Sequence, residues 1–297
     1  MMNAILTTNV SASSLAEALK HPPPERGVSL FWLGQAGFLL RTARHCIVID
    51  PYLSDSLAEK YRGRPLPHQR MMTAPIQAGA LSGVTHVLVT HHHSDHLDGA
   101  TLTPLLAASP EACLVLPRAA TALAMERIPM VDRSRLIGVN AGETHQLTSD
   151  LTLHVVRACH ETLEQDEAGN FRFLGYVIDV GGIRIFHSGD TIPFESQVTE
   201  LIPLNIDAAL LPVNGRSESL RAQGVPGNMT AEEAVRLCVE CNIRYMIAHH
   251  YGLFEFNTVN PAMLDAMALR HTNPVLKRAR LHTRYQLEPP TSAEKSE

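Results

Sequence analysis

Most of the chemistry available to this chain is concentrated in six consecutive residues, His91-His92-His93-Ser94-Asp95-His96. They follow directly on the run His86-Val87-Leu88-Val89-Thr90, so they stand where a buried strand gives way to a loop. Residues two apart on an extended segment project the same way, which lets His91 and His93 grip one metal ion. Asp95 and His96, one turn further on, face a neighbouring position suited to a second ion. Imidazole combined with a hard carboxylate suits zinc, manganese or iron. A purification tag would sit at a terminus and lack the aspartate. His92 points away from its neighbours and is read as structural.

Two ions need more ligands than these four, and further donors recur in the same strand-to-loop context. His160 follows the strand-like run 151–158, and Asp190 ends His187-Ser188-Gly189-Asp190, where glycine permits a tight approach. His249-His250 follows Tyr245-Met246-Ile247-Ala248, and adjacent residues at an extended strand end face opposite ways. Asp50 closes the run 45–50 just ahead of Pro51; it either orients a ligand histidine or simply forms the turn. Arg216 and Arg221, in the loop 214–228, are candidates to hold an anionic substrate group through paired hydrogen bonds.

The H-x-H-x-D-H string, His160, the HSGD motif at 187–190 and the late His250 resemble the metallo-β-lactamase superfamily over about residues 28–265. That resemblance implies an α/β fold of the αββα sandwich type, two mixed β-sheets flanked by helices, with a dinuclear site at the sheet ends. It assigns His91, His93 and His160 to one ion, Asp95, His96 and His250 to the other, and Asp190 to a bridge. His250-Tyr251-Gly252 is similar to the last-histidine motif of several members, which favours His250 as ligand and leaves His249 behind it. Within the superfamily, Trp32-Leu33-Gly34-Gln35-Ala36-Gly37, Ile49-Asp50-Pro51, His187 and Asn214-Gly215-Arg216 are similar to the L-ascorbate-6-phosphate lactonase branch. The N-acyl-phosphatidylethanolamine phospholipase D relatives share the same opening logic.

The expected activity is therefore hydrolysis of a small anionic lactone, ester or phosphoester by a metal-activated hydroxide. Two divalent ions, zinc or manganese, are the expected cofactors, with Asp95 and Asp190 as catalytic residues. A phosphodiesterase or phospholipase D-like hydrolase is the alternative. A flavin-partnered di-iron oxidoreductase fits less well, because such members carry an acidic third residue in the first motif, where this chain has His93.

The 297 residues are 45% apolar, enough to bury a sizeable core. The 25 basic and 30 acidic residues leave a net charge of −5, a poor basis for clamping a nucleic-acid backbone or supporting a nuclease. No apolar run approaches the roughly 18 residues a membrane helix needs. The N-terminus lacks the basic start of a secretory signal. The 5 cysteines are scattered and form no disulfide framework, and Cys238-x-x-Cys241 falls late in a helical pattern. A cytoplasmic enzyme acting on a small molecule is expected, without nucleic-acid or membrane partners and with homo-oligomerisation open.

The elements that must position these residues begin after an arm over 1–27 that ends in His21-Pro22-Pro23-Pro24. Runs 28–33, 36–41 and 45–50 predict an antiparallel meander, and 51–82, rich in proline and arginine, predicts an irregular flap. A strand at 86–90, a helix after Asp98, strands near 113–117 and 135–139 and a helix over 118–126 give an αβ alternation. The second half repeats the theme with strands near 151–158, 172–180 and 182–187 and a helix near 194–202. A buried strand at 207–213, a helix from Thr230 with a capping box to Glu233, a strand at 244–248, a helix near 260–271 and a strand near 279–286 follow. No linker divides the halves, so residues 28–297 are expected to form one domain.

Overall fold

Alternation of side chains along each strand explains how this chain builds its layers. The computed structural model describes residues 4–10 and 14–290. Its strands are β1 Ile5–Val10, β2 Val28–Gly34, β3 Gly37–Arg41, β4 Cys46–Ile49, β5 His86–Leu88, β6 Cys113–Pro117, β7 Leu136–Val139 and β8 Thr144–Thr148. They continue with β9 Leu151–Arg157, β10 Leu174–Val180, β11 Ile183–His187, β12 Ala208–Pro212, β13 Tyr245–His249, β14 Val275–Arg278 and β15 Thr283–Glu288. The helices are α1 Leu15–Lys20, α2 Ser56–Lys60, α3 Gly99–Ala108, α4 Thr121–Arg127, α5 Gln197–Leu201, α6 Glu218–Arg221, α7 Ala231–Glu240 and α8 Pro261–Arg270.

Two sheets form, ordered β1-β15-β2-β3-β4-β5-β6-β7 and β14-β13-β12-β11-β10-β9-β8. In the first, β2, β3 and β4 are the expected antiparallel meander, and β4 to β7 run parallel. The second repeats this: β8 to β11 are antiparallel and β11 to β14 parallel. Parallel neighbours need crossovers, and the six connections carry α2, α3, α4, α5, α7 and α8, with α6 preceding α7. The αββα arrangement is the one expected.

Successive residues of the first sheet serve different cores. Leu30, Trp32, Phe38, Leu40, Ile47 and Ile49 join Leu153, Val155, Tyr176, Ile178 and Ile185 of the second sheet in one buried cluster. Their neighbours Phe31, Leu33, Leu39, Val48, Val87 and Leu114 pack instead with Leu102, Leu105 and Leu106 of α3 and Ala124 of α4. Strands covered on both faces read as near-continuous apolar runs, which is why they are prominent in the sequence.

Three local expectations change. The arm is partly strand: β1 pairs antiparallel with β15, Ile5 opposite Glu288, and so extends the first sheet. The strand expected near 279–286 is instead β15, Thr283–Glu288, preceded by the separate β14. The flap holds the short helix α2 and is fastened at its foot by Arg70, which donates to Tyr52 O (2.9 Å), Ser54 O (3.2 Å) and Met72 O (3.2 Å). No helix among the described residues is long and apolar enough to cross a membrane.

Candidate functional site

Open α/β sheets bind ligands in the crevice beyond the carboxyl ends of their strands. Here the loops after β4, β5, β9, β11 and β13 deliver Asp50, His91 to His96, His160, Asp190 and His250 to one place. Tight turning is built into that edge. Gln35, Asp50 and His250 have φ of 50°, 42° and 62°, left-handed values that cost a residue with a side chain about 1–3 kcal/mol each and cluster at functional sites. Gly189, at φ 61°, could carry no side chain: a Cβ there would lie 2.6 Å from Leu174 O and 2.9 Å from Thr90 Cβ.

Hydrogen bonds fix how the histidines present their nitrogens. Asp50 accepts from Thr90 N (2.8 Å), Thr90 Oγ1 (2.6 Å) and His96 Nδ1 (2.8 Å), all buried. A carboxylate only accepts, so His96 donates through Nδ1 and turns Nε2 inward. The Thr90 hydroxyl has spent its proton on Asp50, so at 3.0 Å it accepts from His91 Nδ1, and His91 also turns Nε2 to the site. His91 Nε2 and His93 Nδ1 are 3.0 Å apart. Phe173 lies against His91, His93 and His160 at ring distances of 5.1, 5.6 and 5.5 Å, an apolar floor under all three.

Asp190 is the hub, with oxygens 3.1 Å from His250 Nε2, 3.5 Å from His96 Nε2 and 3.8 Å from His160 Nε2. Gln35, its backbone accepting from His250 N (3.0 Å), donates its amide to Asp95 Oδ2 at 3.0 Å and lies 3.2 Å from His250 Nε2. The electrostatics follow burial and charge. Burial, with His96 and His93 beside it, holds His91 well below the ordinary histidine value, and burial brings His160 down to about 4. Burial opposes charge on His96 too, but Asp50, Asp190 and Asp95 outweigh it and hold its pKa well above the usual value. His250 is raised against burial by Asp190, whose own carboxyl is held well below its usual range, against burial, by His250 and His96.

The remaining sequence candidates lie further out. His187 Nε2 donates to Ala36 O (2.8 Å) and its Nδ1 accepts from Gly189 N (3.1 Å), so both nitrogens are committed to shaping the HSGD turn. His249 stacks on His187 at 5.2 Å with Phe38 edge-on at 5.3 Å, outside the cluster. Asn214 accepts from Asn228 (3.1 Å) and donates to Asn257 (2.8 Å), and it is Asn257 that reaches the cleft. Neither loop arginine lines the cleft: Arg216 forks onto Glu233 at 2.6 and 2.7 Å, and Arg221 pairs with Glu161 at 2.9 Å. Each already has a carboxylate partner. The cations that do line the cleft of about 600 Å³ are Lys60, Arg64 and Arg127. They carry no motif of their own, whereas Gln35 sits within Trp32-Leu33-Gly34-Gln35-Ala36-Gly37, whose flanking glycines are the one signal the sequence offers for it.

A two-sheet sandwich with a buried His/Asp cluster at the strand ends defines the class of metallohydrolase folds. The model of the β-lactamase superfamily domain matches residues 45–251, and the chain belongs to that superfamily. A UPF0173 metal-dependent hydrolase of Myxococcus xanthus is 27% identical over 256 residues, 82% of this chain and 78% of the relative. One from Archaeoglobus fulgidus is 28% identical over 240 residues, 79% and 87%. Among solved structures, an isothiocyanate hydrolase from Delia radicum gut bacteria superposes with a TM-score of 0.67 at 18% identity, covering 84% of this chain and 95% of that one. A metallo hydrolase from Ignicoccus hospitalis gives 0.61 at 19%, covering 89% and 99%.

Proposed function

We propose that this protein hydrolyses a small anionic lactone, ester or phosphoester with two divalent ions, zinc or manganese, held at the cluster. It is a metal-dependent hydrolase of the β-lactamase superfamily. One observation carries the metal reading: His96 Nε2 and Asp190 Oδ1, which face each other across 3.5 Å within the cluster, are buried with no hydrogen-bond partner. Orphaned polar atoms cost about 1–3 kcal/mol each, so their concentration here asks for a ligand. Their grouping fits two ions. His91, His93 and His160 form one set and Asp95, His96 and His250 another, with His91, His96 and Asp190 overlapping both; in each, the ligand atoms lie within 4.8 Å.

Ions bound there would supply Lewis acidity and a hydroxide nucleophile near neutral pH. The chain's own part is positioning and proton handling. Asp50 and Thr90 hold His96 and His91 with their Nε2 atoms turned inward, and Asp190 lies where it would be shared by the two sets. Asp95, whose side chain is 18% exposed, faces the cleft and is placed to accept a proton from the nucleophile. Lys60, Arg64 and Arg127 favour an anionic substrate, because among the described residues the only carboxylates lining the cleft are Asp95 and Asp190. The lactone class rests on the likeness of Trp32–Gly37 and the HSGD region to the ascorbate-6-phosphate lactonases. The same three cations equally match phosphoryl oxygens, which favours a phosphodiester as the second reading.

Metal content per chain after mild purification, with lactone, ester and phosphodiester substrates assayed on the same preparation, tests this. About two ions per chain and turnover of one class are expected. Metal near zero that reconstitution does not raise would remove the dinuclear site, and a fully loaded protein inert toward all three classes would remove the substrate assignment.

A further inference from the structure

We propose that the outer part of the cleft is a subsite for a flat apolar group carrying a negative charge, formed by Tyr61, His68 and Phe256 with Lys60 and Arg64 beside them. The inference rests on the hydrolase reading above and concerns the part of the substrate that does not react.

The wall is continuous. Tyr61 and His68 stack at 4.1 Å with their planes 21° apart, and His68 meets Phe254 and Phe256 edge-on at 5.0 and 4.8 Å. Phe254 is only 3% exposed and backs the wall from within the flap's own small core. Tyr61, His68 and Phe256 are half-buried and line the same cleft as Asp95 and Asp190, so they present part of their ring surface to it. Burial lowers the pKa of His68, leaving it a neutral ring that stacks rather than a third cation. Leu66, Val225 and Pro226 add aliphatic lining.

The charge stands beside the rings. Lys60 Nζ and Arg64 Cζ lie 5.4 and 5.5 Å from the Tyr61 centroid. Among the described residues neither cation has a carboxylate partner, unlike Arg44, Arg118, Arg157, Arg184, Arg216 and Arg278. Lys60 donates only to Ser94 Oγ, at 3.3 Å. Unpaired cations held against an aromatic wall recognise an anion whose apolar body stacks on that wall. A volume of about 600 Å³ is ample for a ring system beyond the bond to be cleaved.

Calorimetric binding to the metal-loaded full chain tests this with three probes. Naphthalene-2-sulfonate is flat and anionic, naphthalene-2-methanol is flat and neutral, and methanesulfonate is anionic without a ring. Sulfonates are poor metal ligands, so they report on the subsite and not on the ions. Naphthalene-2-sulfonate should bind roughly ten-fold tighter than either other probe. Lys60→Ala/Arg64→Ala should weaken it roughly five-fold and leave naphthalene-2-methanol unchanged. Phe256→Ala should weaken both aromatic probes about three- to ten-fold, with circular dichroism confirming the fold. Equal affinity for the three probes, or binding that neither variant alters, overturns the subsite. Selective binding with no hydrolysis of any ester, lactone or phosphodiester would count against the proposed reaction and leave the subsite standing.

Discussion

Asp190 reaches three histidines at 3.1 to 3.8 Å, so its charge couples much of the cluster. Asp190→Asn keeps the shape and removes the charge; hydrolysis should be lost almost completely while circular dichroism stays that of the parent. Full activity in that variant would take Asp190 out of the site. The two adjacent histidines make a sharper contrast. His250 reaches the cluster because its left-handed backbone turns it off the end of β13, whereas His249 stays on the strand and packs on His187 and Phe38. His250→Ala should lose one ion per chain and nearly all turnover. His249→Ala should keep both ions and lose about 10–100-fold in rate, as partners behind a ligand typically do. The opposite pattern of metal content would exchange their roles. The candidate ligands were legible because they cluster in motifs. Alternation along an extended strand already separated His249 from His250, but the turn that does the aiming is a backbone feature with no side-chain signature.

Arg216 belongs to a helix start. Its guanidinium braces Glu233, which accepts from Thr230 N while Thr230 Oγ1 accepts from Glu233 N, closing the capping box of α7. Arg216→Ala should cost about 0.5–1 kcal/mol in urea unfolding and change turnover less than about two-fold. A large rise in KM would return Arg216 to the substrate. Other elements show where sequence patterning carries and where it stops. β2 to β6, buried on both faces, stood out as apolar runs. β8, Thr144-His145-Gln146-Leu147-Thr148, is a largely polar edge strand with no such run. α2 has five residues, too few for a helical period to register. β1 is separated from its sheet by the proline stretch, and its partner β15 lies at the other end of the described chain. Pairing at that separation leaves no local trace.

At the scale of the whole molecule, several buried histidines, His86, His160 and His249 among them, are held neutral by burial, which sets part of its response to acid. His86 is pushed down to about 4 by burial, with His45 adding to the effect. An unfolded histidine titrates near 6.5, so below that pH the unfolded chain binds the proton first. The stability His86 contributes is therefore complete above about pH 6.5 and is lost as pH falls toward 4. Urea midpoints should drop between pH 7 and 4.5, and His86→Gln should show a smaller drop; equal drops in both proteins would exclude His86 as a source. The sheet order has a consequence for synthesis. β15 lies between β1 and β2, so the strand translated after the other fourteen is the one that joins the first two. Until residues 283–288 leave the ribosome, β2 keeps a bare edge and β1 has no neighbour to pair with. The first sheet is completed only after translation has passed the His/Asp motifs of the site, and a chain stopped short of Thr283 would expose the kind of unpaired strand on which aggregates grow.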